Sequence, residues 1–206
     1  MCIRDRYKSI DNGLTWDSIS STADNNPAGS FNVFDFAWNI VLDPSNLDED
    51  EMYMATYGSI LRSVDGGESW LEELGGGNAY YNNVEITTDG VVYATLSSDG
   101  TGKGIWRSAD GMEWTNIIPD GFGNVYGRTA IGINPSNENE VYFLTAETEN
   151  SGQFTNTFFG GETWTSLWKY TYLCGDGKDT CGNWVNLSAN IPANRPTTFD
   201  NFNAQG

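Results

Sequence analysis

The chain of 206 residues contains no histidine. That removes Ser-His and Cys-His nucleophile pairs, imidazole acid–base chemistry and most zinc sites together. Carboxylate chemistry is what remains for catalysis. There is no run of about 18 apolar residues, the length a membrane-spanning helix needs. The longest apolar stretches, at residues 38–42 and 52–56, are strand-sized. Basic residues are few, ten against twenty-eight acidic ones, for a net charge of −18. Such a surface repels phosphate backbones and anionic bilayers, which argues against nucleic acid as a partner. The opening residues 1–6, Met-Cys-Ile-Arg-Asp-Arg, lack the apolar core and cleavage site of a signal peptide and read as a non-native leader. Cysteine is scarce, at three. Cys2 lies in that leader, whereas Cys174 and Cys181 bracket the loop Gly-Asp-Gly-Lys-Asp-Thr. The close spacing predicts a disulfide stapling a surface loop, and with it an oxidising compartment.

What the chain does have is repetition. Ser9-Ile10-Asp11-Asn12-Gly13-Leu14-Thr15-Trp16 aligns without a gap on Ser63-Val64-Asp65-Gly66-Gly67-Glu68-Ser69-Trp70. A third copy, Ser108-Ala109-Asp110-Gly111-Met112-Glu113-Trp114, is one residue shorter. The three tryptophans follow at steps of 54 and 44 residues. Asn-Gly and Gly-Gly tolerate the positive φ of a tight hairpin, and Ser and Asp oxygens can accept nearby backbone N–H groups. Ser9, Asp11, Gly13 and Trp16 therefore read as a structural latch. So do Ser63, Asp65, Gly67 and Trp70, and Ser108, Asp110, Gly111 and Trp114.

Around each box run four short apolar segments separated by Asn, Asp, Gly and Pro turns. The spacing predicts four-stranded antiparallel blades at residues 34–74, 81–118 and 126–187. Residues 7–20 give the second half of an incomplete blade and 193–206 the lead-in to a next one. The third full blade carries insertions at 150–166 and, in place of the box, at 174–181. The expected fold is all-β: a partial β-propeller of about three complete blades plus edge strands of incomplete ones. A fragment of a longer chain is expected.

The S-x-D-x-G-x-T-W boxes resemble the Asp-box (BNR-type) repeats of sialidases, sortilin-type receptors, xyloglucan-active glycosidases and photosystem assembly factors. Together with the D/N-P-S-N strand ends and the segment Leu167-Trp168-Lys169-Tyr170-Thr171-Tyr172, they look most like secreted propeller proteins of Bacteroidetes. The resemblance implies an extracellular or cell-surface place, probing partners with its surface, and the remaining blades of a parent chain as neighbours. It also brings an alternative, part of a propeller glycoside hydrolase of xyloglucanase- or sialidase-like type. A sialidase site needs clustered arginines. Arg62 and Arg107 instead occupy repeated strand positions, and only Arg128 and Arg195 remain outside the leader. Asp35, Glu85, Asp89 and Glu147 are the carboxylates a glycosidase could draw on.

The reading preferred here is a non-catalytic binding or scaffold module for a protein or polysaccharide ligand. Its candidate contacts are the adjacent aromatic pairs Tyr80, Tyr81 and Phe158, Phe159, since neighbours on a strand point to opposite sides. Tyr57, Phe122 and Tyr126 are further loop aromatics. No organic cofactor is expected. For the acidic run at residues 48–51, a solvated loop and a calcium site at Asp48 and Asp50 stand as alternatives.

Overall fold

The computed structural model describes residues 7–22, 34, 36–75, 77–146, 148, 153–156 and 162–191. These residues are all-β, with antiparallel sheets joined by turns and three short 3-10 segments. The first unit is a hairpin of β1 (Tyr7–Lys8) and β2 (Asp17–Ser18). A four-stranded meander follows, β3 (Ala37–Leu42), β4 (Met52–Thr56), β5 (Ser59–Ser63) and β6 (Leu71–Gly75). The next meander is β7 (Asn82–Ile86), β8 (Val92–Leu96), β9 (Gly104–Ser108) and β10 (Trp114–Asn116).

The last sheet contains β11 (Thr129–Ile133), β12 (Glu140–Ala146), β13 (Gln153–Asn156), β14 (Glu162–Tyr172) and β15 (Gly182–Asn186). Here β14 is long enough for two partners on one edge: β13 pairs with its first residues and β15 with its last ones. The 150–166 insertion thus contributes a strand of its own and the start of β14.

The sheets stack in sequence. β7 lies against β3 and β4, and β11 lies against β7 and β8. Register makes the three sheets superimposable in pattern. Leu42 pairs with Met52, Ile86 with Val92 and Ile133 with Val141. Tyr53 pairs with Arg62, Tyr93 with Arg107 and Tyr142 with Lys169. Because side chains alternate along a strand, the β7–β10 sheet meets the sheet before it with one face and the sheet after it with the other.

Between the β3–β6 and β7–β10 sheets, Tyr53, Ala55 and Ile60 pack on Val84, Val92, Ala94 and Leu96. Between the β7–β10 and β11–β15 sheets, Tyr93 and Ile105 pack on Val141, Phe143, Trp168 and Tyr170. Lying in such a stack, β4 and β8 are buried along their whole length, not in alternation. Part-buried cross-sheet bonds tie the layers: the Asn39 side-chain amide donates to the Val84 carbonyl at 2.6 Å and accepts the Val84 N–H at 3.3 Å.

Candidate functional site

The repeated boxes form nearly identical turns. In the first two, the Ser9 and Ser63 hydroxyls each donate to their aspartate at 2.8 Å and accept the N–H of Gly13 and Gly67 at 2.7 and 2.8 Å. Asp11 and Asp65 accept the backbone N–H of Thr15 and Ser69, both at 2.8 Å, and those residues' hydroxyls as well. Trp16 and Trp70 close the turn by donating their indole N–H to the glycine carbonyl at 3.2 and 3.0 Å. Asn12–Gly13 and Gly66–Gly67 sit at positive φ.

The shorter third box keeps the plan. Ser108 donates to Asp110, Asp110 accepts the N–H of Met112 and Glu113 at 2.9 Å, and Trp114 donates to Gly111. Hydrogen bonds from the Thr15 and Ser69 hydroxyls, then from their backbone N–H groups, hold Asp11 and Asp65 down to about 2. Asp110 is lowered by the backbone N–H groups of Glu113 and Met112. All three carboxylates are spent as acceptors inside their turns.

In the fourth box position the chain has a disulfide. Cys174 and Cys181 are bonded, with sulfurs 2.11 Å apart. Tyr170 donates its hydroxyl to the Gly177 carbonyl inside this loop at 2.7 Å.

The acidic run at residues 48–51 is divided by the fold. Asp50 bonds Lys8 Nζ at 2.7 Å, reaching back to the first hairpin. Glu51 turns inward and accepts from Arg62 at 2.6 Å, Tyr53 at 2.7 Å and Asn46 at 2.8 Å. Desolvation pushes the Glu51 carboxyl up, but these three donors outweigh it and leave it below its ordinary value. Among the described residues no three His, Cys, Asp or Glu side chains are grouped to hold a metal ion.

The aromatic candidates separate sharply. Phe122 and Tyr126 are core, 1% and 3% exposed. Phe158 and Phe159 lie outside the described residues, as do residues 1–6 and 193–206. Tyr80 and Tyr81, at 36% and 37% exposure, belong to a five-ring cluster on the rim between the two central sheets. Trp38 lies 5.7 Å from Tyr80 and 5.3 Å from Tyr81, and Tyr80 lies 4.7 Å from Tyr81. Tyr57 meets Tyr80 edge-on at 5.5 Å, and Phe36 meets both at 6.4 and 6.1 Å.

The cluster has local causes. A bulge between Ala37 and Asn39 makes Trp38 the additional residue of β3, which re-aims its ring. Trp38 then donates its indole N–H to the Tyr80 carbonyl at 2.7 Å. Asp99 takes the Tyr80 N–H at 3.2 Å on each oxygen and the Ser97 hydroxyl at 2.5 Å, and Ser97 in turn accepts the Tyr81 N–H. Gly58, at φ 80°, lets the turn after Tyr57 come so close to the Gly77 carbonyl that a Cβ would stand 2.8 Å from it.

Adjacent aromatics flagged Tyr80 and Tyr81 in the sequence. Phe36, Trp38 and Asp99 were missed, because strand apolarity or a polar loop was their whole sequence signal.

Among the described residues an enzyme could use, Glu85 and Arg107 flank Tyr93 in the β7–β10 sheet, whereas Arg62 belongs to the sheet before it. Arg62 is engaged by Glu51 between the two central sheets. Arg107 is buried between the next two, its guanidinium 4.0 Å from the Tyr172 ring centre. Glu85 faces the following sheet in register with Tyr93, and burial raises its carboxyl above the ordinary value. Asp89 accepts the Thr87 hydroxyl in the β7–β8 turn. Asp35, Glu147 and Arg195 lie outside the described residues. No helix among the described residues is long and apolar enough to cross a membrane. The chain matches no known protein-family model and none of the curated proteins compared with it.

Proposed function

We propose that residues 7–187 are blades of an Asp-box β-propeller that acts outside the cell as a non-catalytic binding or scaffold module. The observation that carries the binding reading is the ring cluster on a rim, in which Tyr80 and Tyr81 are exposed, Phe36, Trp38 and Tyr57 half-buried, and backbone hydrogen bonds fix Trp38, Tyr80 and Tyr81. Rigid aromatic surface gains contact energy on binding at little cost in conformational freedom.

The propeller reading is supported by the way sheets meet through their first strands, β3 to β7 to β11, as blades do around an axis. It is supported as well by unequal burial at equivalent positions. Val84 and Ile86 are covered by the preceding sheet, whereas Ile40 and Leu42, their counterparts on β3, are 51% and 63% exposed. The hairpin β1–β2, with its box turn, corresponds to the last two strands of a blade. The disulfide supports an oxidising compartment.

The test is co-sedimentation with insoluble polysaccharides, with released reducing ends assayed in the same tubes. Binding without release is expected. Release of reducing ends would contradict the reading and turn attention to the glycosidase alternative, beginning with Glu85.

A further inference from the structure

We infer that the rim cluster binds a neutral oligosaccharide, one sugar ring stacking on the face of Tyr80 or Tyr81 while the other tyrosine, its plane turned by 70°, meets that sugar from the side. This rests on the binding-module reading and assigns its ligand class. Size decides first between a protein and a small ligand. Aromatic side chains offer about 150–250 Å² each, so Tyr80 and Tyr81, 36% and 37% exposed, present on the order of 150 Å² together. Even with the half-buried Phe36, Trp38 and Tyr57 added, the patch stays at half or less of the roughly 800 Å² per partner of a stable protein interface. It suits one or two sugar rings.

Charge decides next. The net charge of −18 repels sulfated or uronate-bearing chains over long range. A compact cation would be attracted, but it needs a hollow walled by ring faces. Here the rings fill the space themselves, with neighbouring centroids 4.7–6.4 Å apart. On the outside of such a cluster a cation–π contact is worth only about 0.5–1 kcal/mol. A pyranose instead lays its C–H face on one ring and meets the steeply inclined neighbouring ring from the side.

Polar groups stand where sugar hydroxyls would reach. A carboxylate has about four lone-pair sites, and Asp99 uses one for the Ser97 hydroxyl and two for the shared Tyr80 N–H. The fourth is left to accept a hydroxyl. On the other side Asn78, whose Oδ1 takes the Tyr57 hydroxyl at 3.4 Å, has an amide that donates.

The experiment is isothermal titration with cellohexaose, mannohexaose, laminarihexaose and maltohexaose, and with a heparin hexasaccharide and choline chloride in parallel. At least one neutral probe should bind, Tyr80→Ala/Tyr81→Ala should weaken it by at least about 10-fold, and Tyr80→Phe/Tyr81→Phe should keep it within about 3-fold. Melting curves of each variant establish that it is folded, and the Phe pair keeps the test valid if the Ala pair is not. Equal binding by wild type and a folded Ala pair would overturn the site while leaving a binding module. Failure of every neutral probe, with or without binding of heparin or choline, would overturn the glycan assignment alone. Hydrolysis of a probe would overturn the non-catalytic reading itself.

Discussion

At the scale of single residues, the chain spends its charges on structure. Asp65 is a good case, since four donors surround one exposed carboxylate. Its pKa in the fold is about 2 against an ordinary 3.8. A depressed carboxylate stabilises above its unfolded pKa, and that contribution fades as pH falls toward the folded value. The melting temperature of Asp65→Asn should therefore lie below wild type at pH 6, by roughly 2–4 °C. The gap should close as the pH drops from about 4 toward 2. Comparing the two proteins at each pH cancels the relief of self-repulsion that acid brings to both. A gap independent of pH would count against the latch.

Glu51 works under different conditions, because its side chain is only 7% exposed and serves three donors. Replacing it with alanine strands Arg62, whose next carboxylate, Glu73, is 3.8 Å away. We expect a loss of about 3 kcal/mol in urea unfolding. A loss near zero would mean the network is solvated and weak.

At the scale of elements, the disulfide loop stands where the first three hairpins have a Ser-Asp-Gly-Trp turn. Eight residues from Cys174 to Cys181 are closed into a ring. The loop-entropy model gives such a bridge about 2 kcal/mol, so Cys174→Ser/Cys181→Ser should unfold that much more readily. Free thiols on Cys174 and Cys181 in non-reducing mass spectrometry of protein from an oxidising compartment would contradict the pairing.

This is also the scale at which sequence legibility changes. Box turns and their flanking strands are readable because they depend on residues within eight positions of each other. Trp38 at a bulge is not, since only pairing with β4 reveals Trp38 as the additional residue. Nor are β13 and the early start of β14, which stabilise each other from within an insertion of Gly, Thr, Asn and Phe. The ring cluster was half legible. Tyr80 and Tyr81 announce themselves as neighbours, but Trp38 reaches them across 42 residues through a contact between sheets.

At the scale of the whole molecule, the stack makes equivalent residues unequal. Leu42 and Ile86 occupy the same place in successive sheets, yet Leu42 is exposed and Ile86 packs against the sheet before it. Ile86→Glu should cost about 1–3 kcal/mol, since the half-buried side chain packs against the preceding sheet. Leu42→Glu should leave stability within about 0.5 kcal/mol. If apolar open faces drive association, Leu42→Glu should also lower the apparent mass in concentrated solution by light scattering. Equal destabilisation by both would mean that β3 has a covering partner after all.

The same stack places the five rings at a rim, and binding there without chemistry is the central claim. Affinity electrophoresis through gels with and without a soluble neutral polysaccharide tests it most directly, with wild type and Tyr80→Ala/Tyr81→Ala in adjacent lanes and reducing ends assayed in the gel. Retardation of wild type, lost in the variant, is expected, with no reducing ends. Equal mobility of the two proteins in every gel, or reducing ends around the wild-type band, would contradict it.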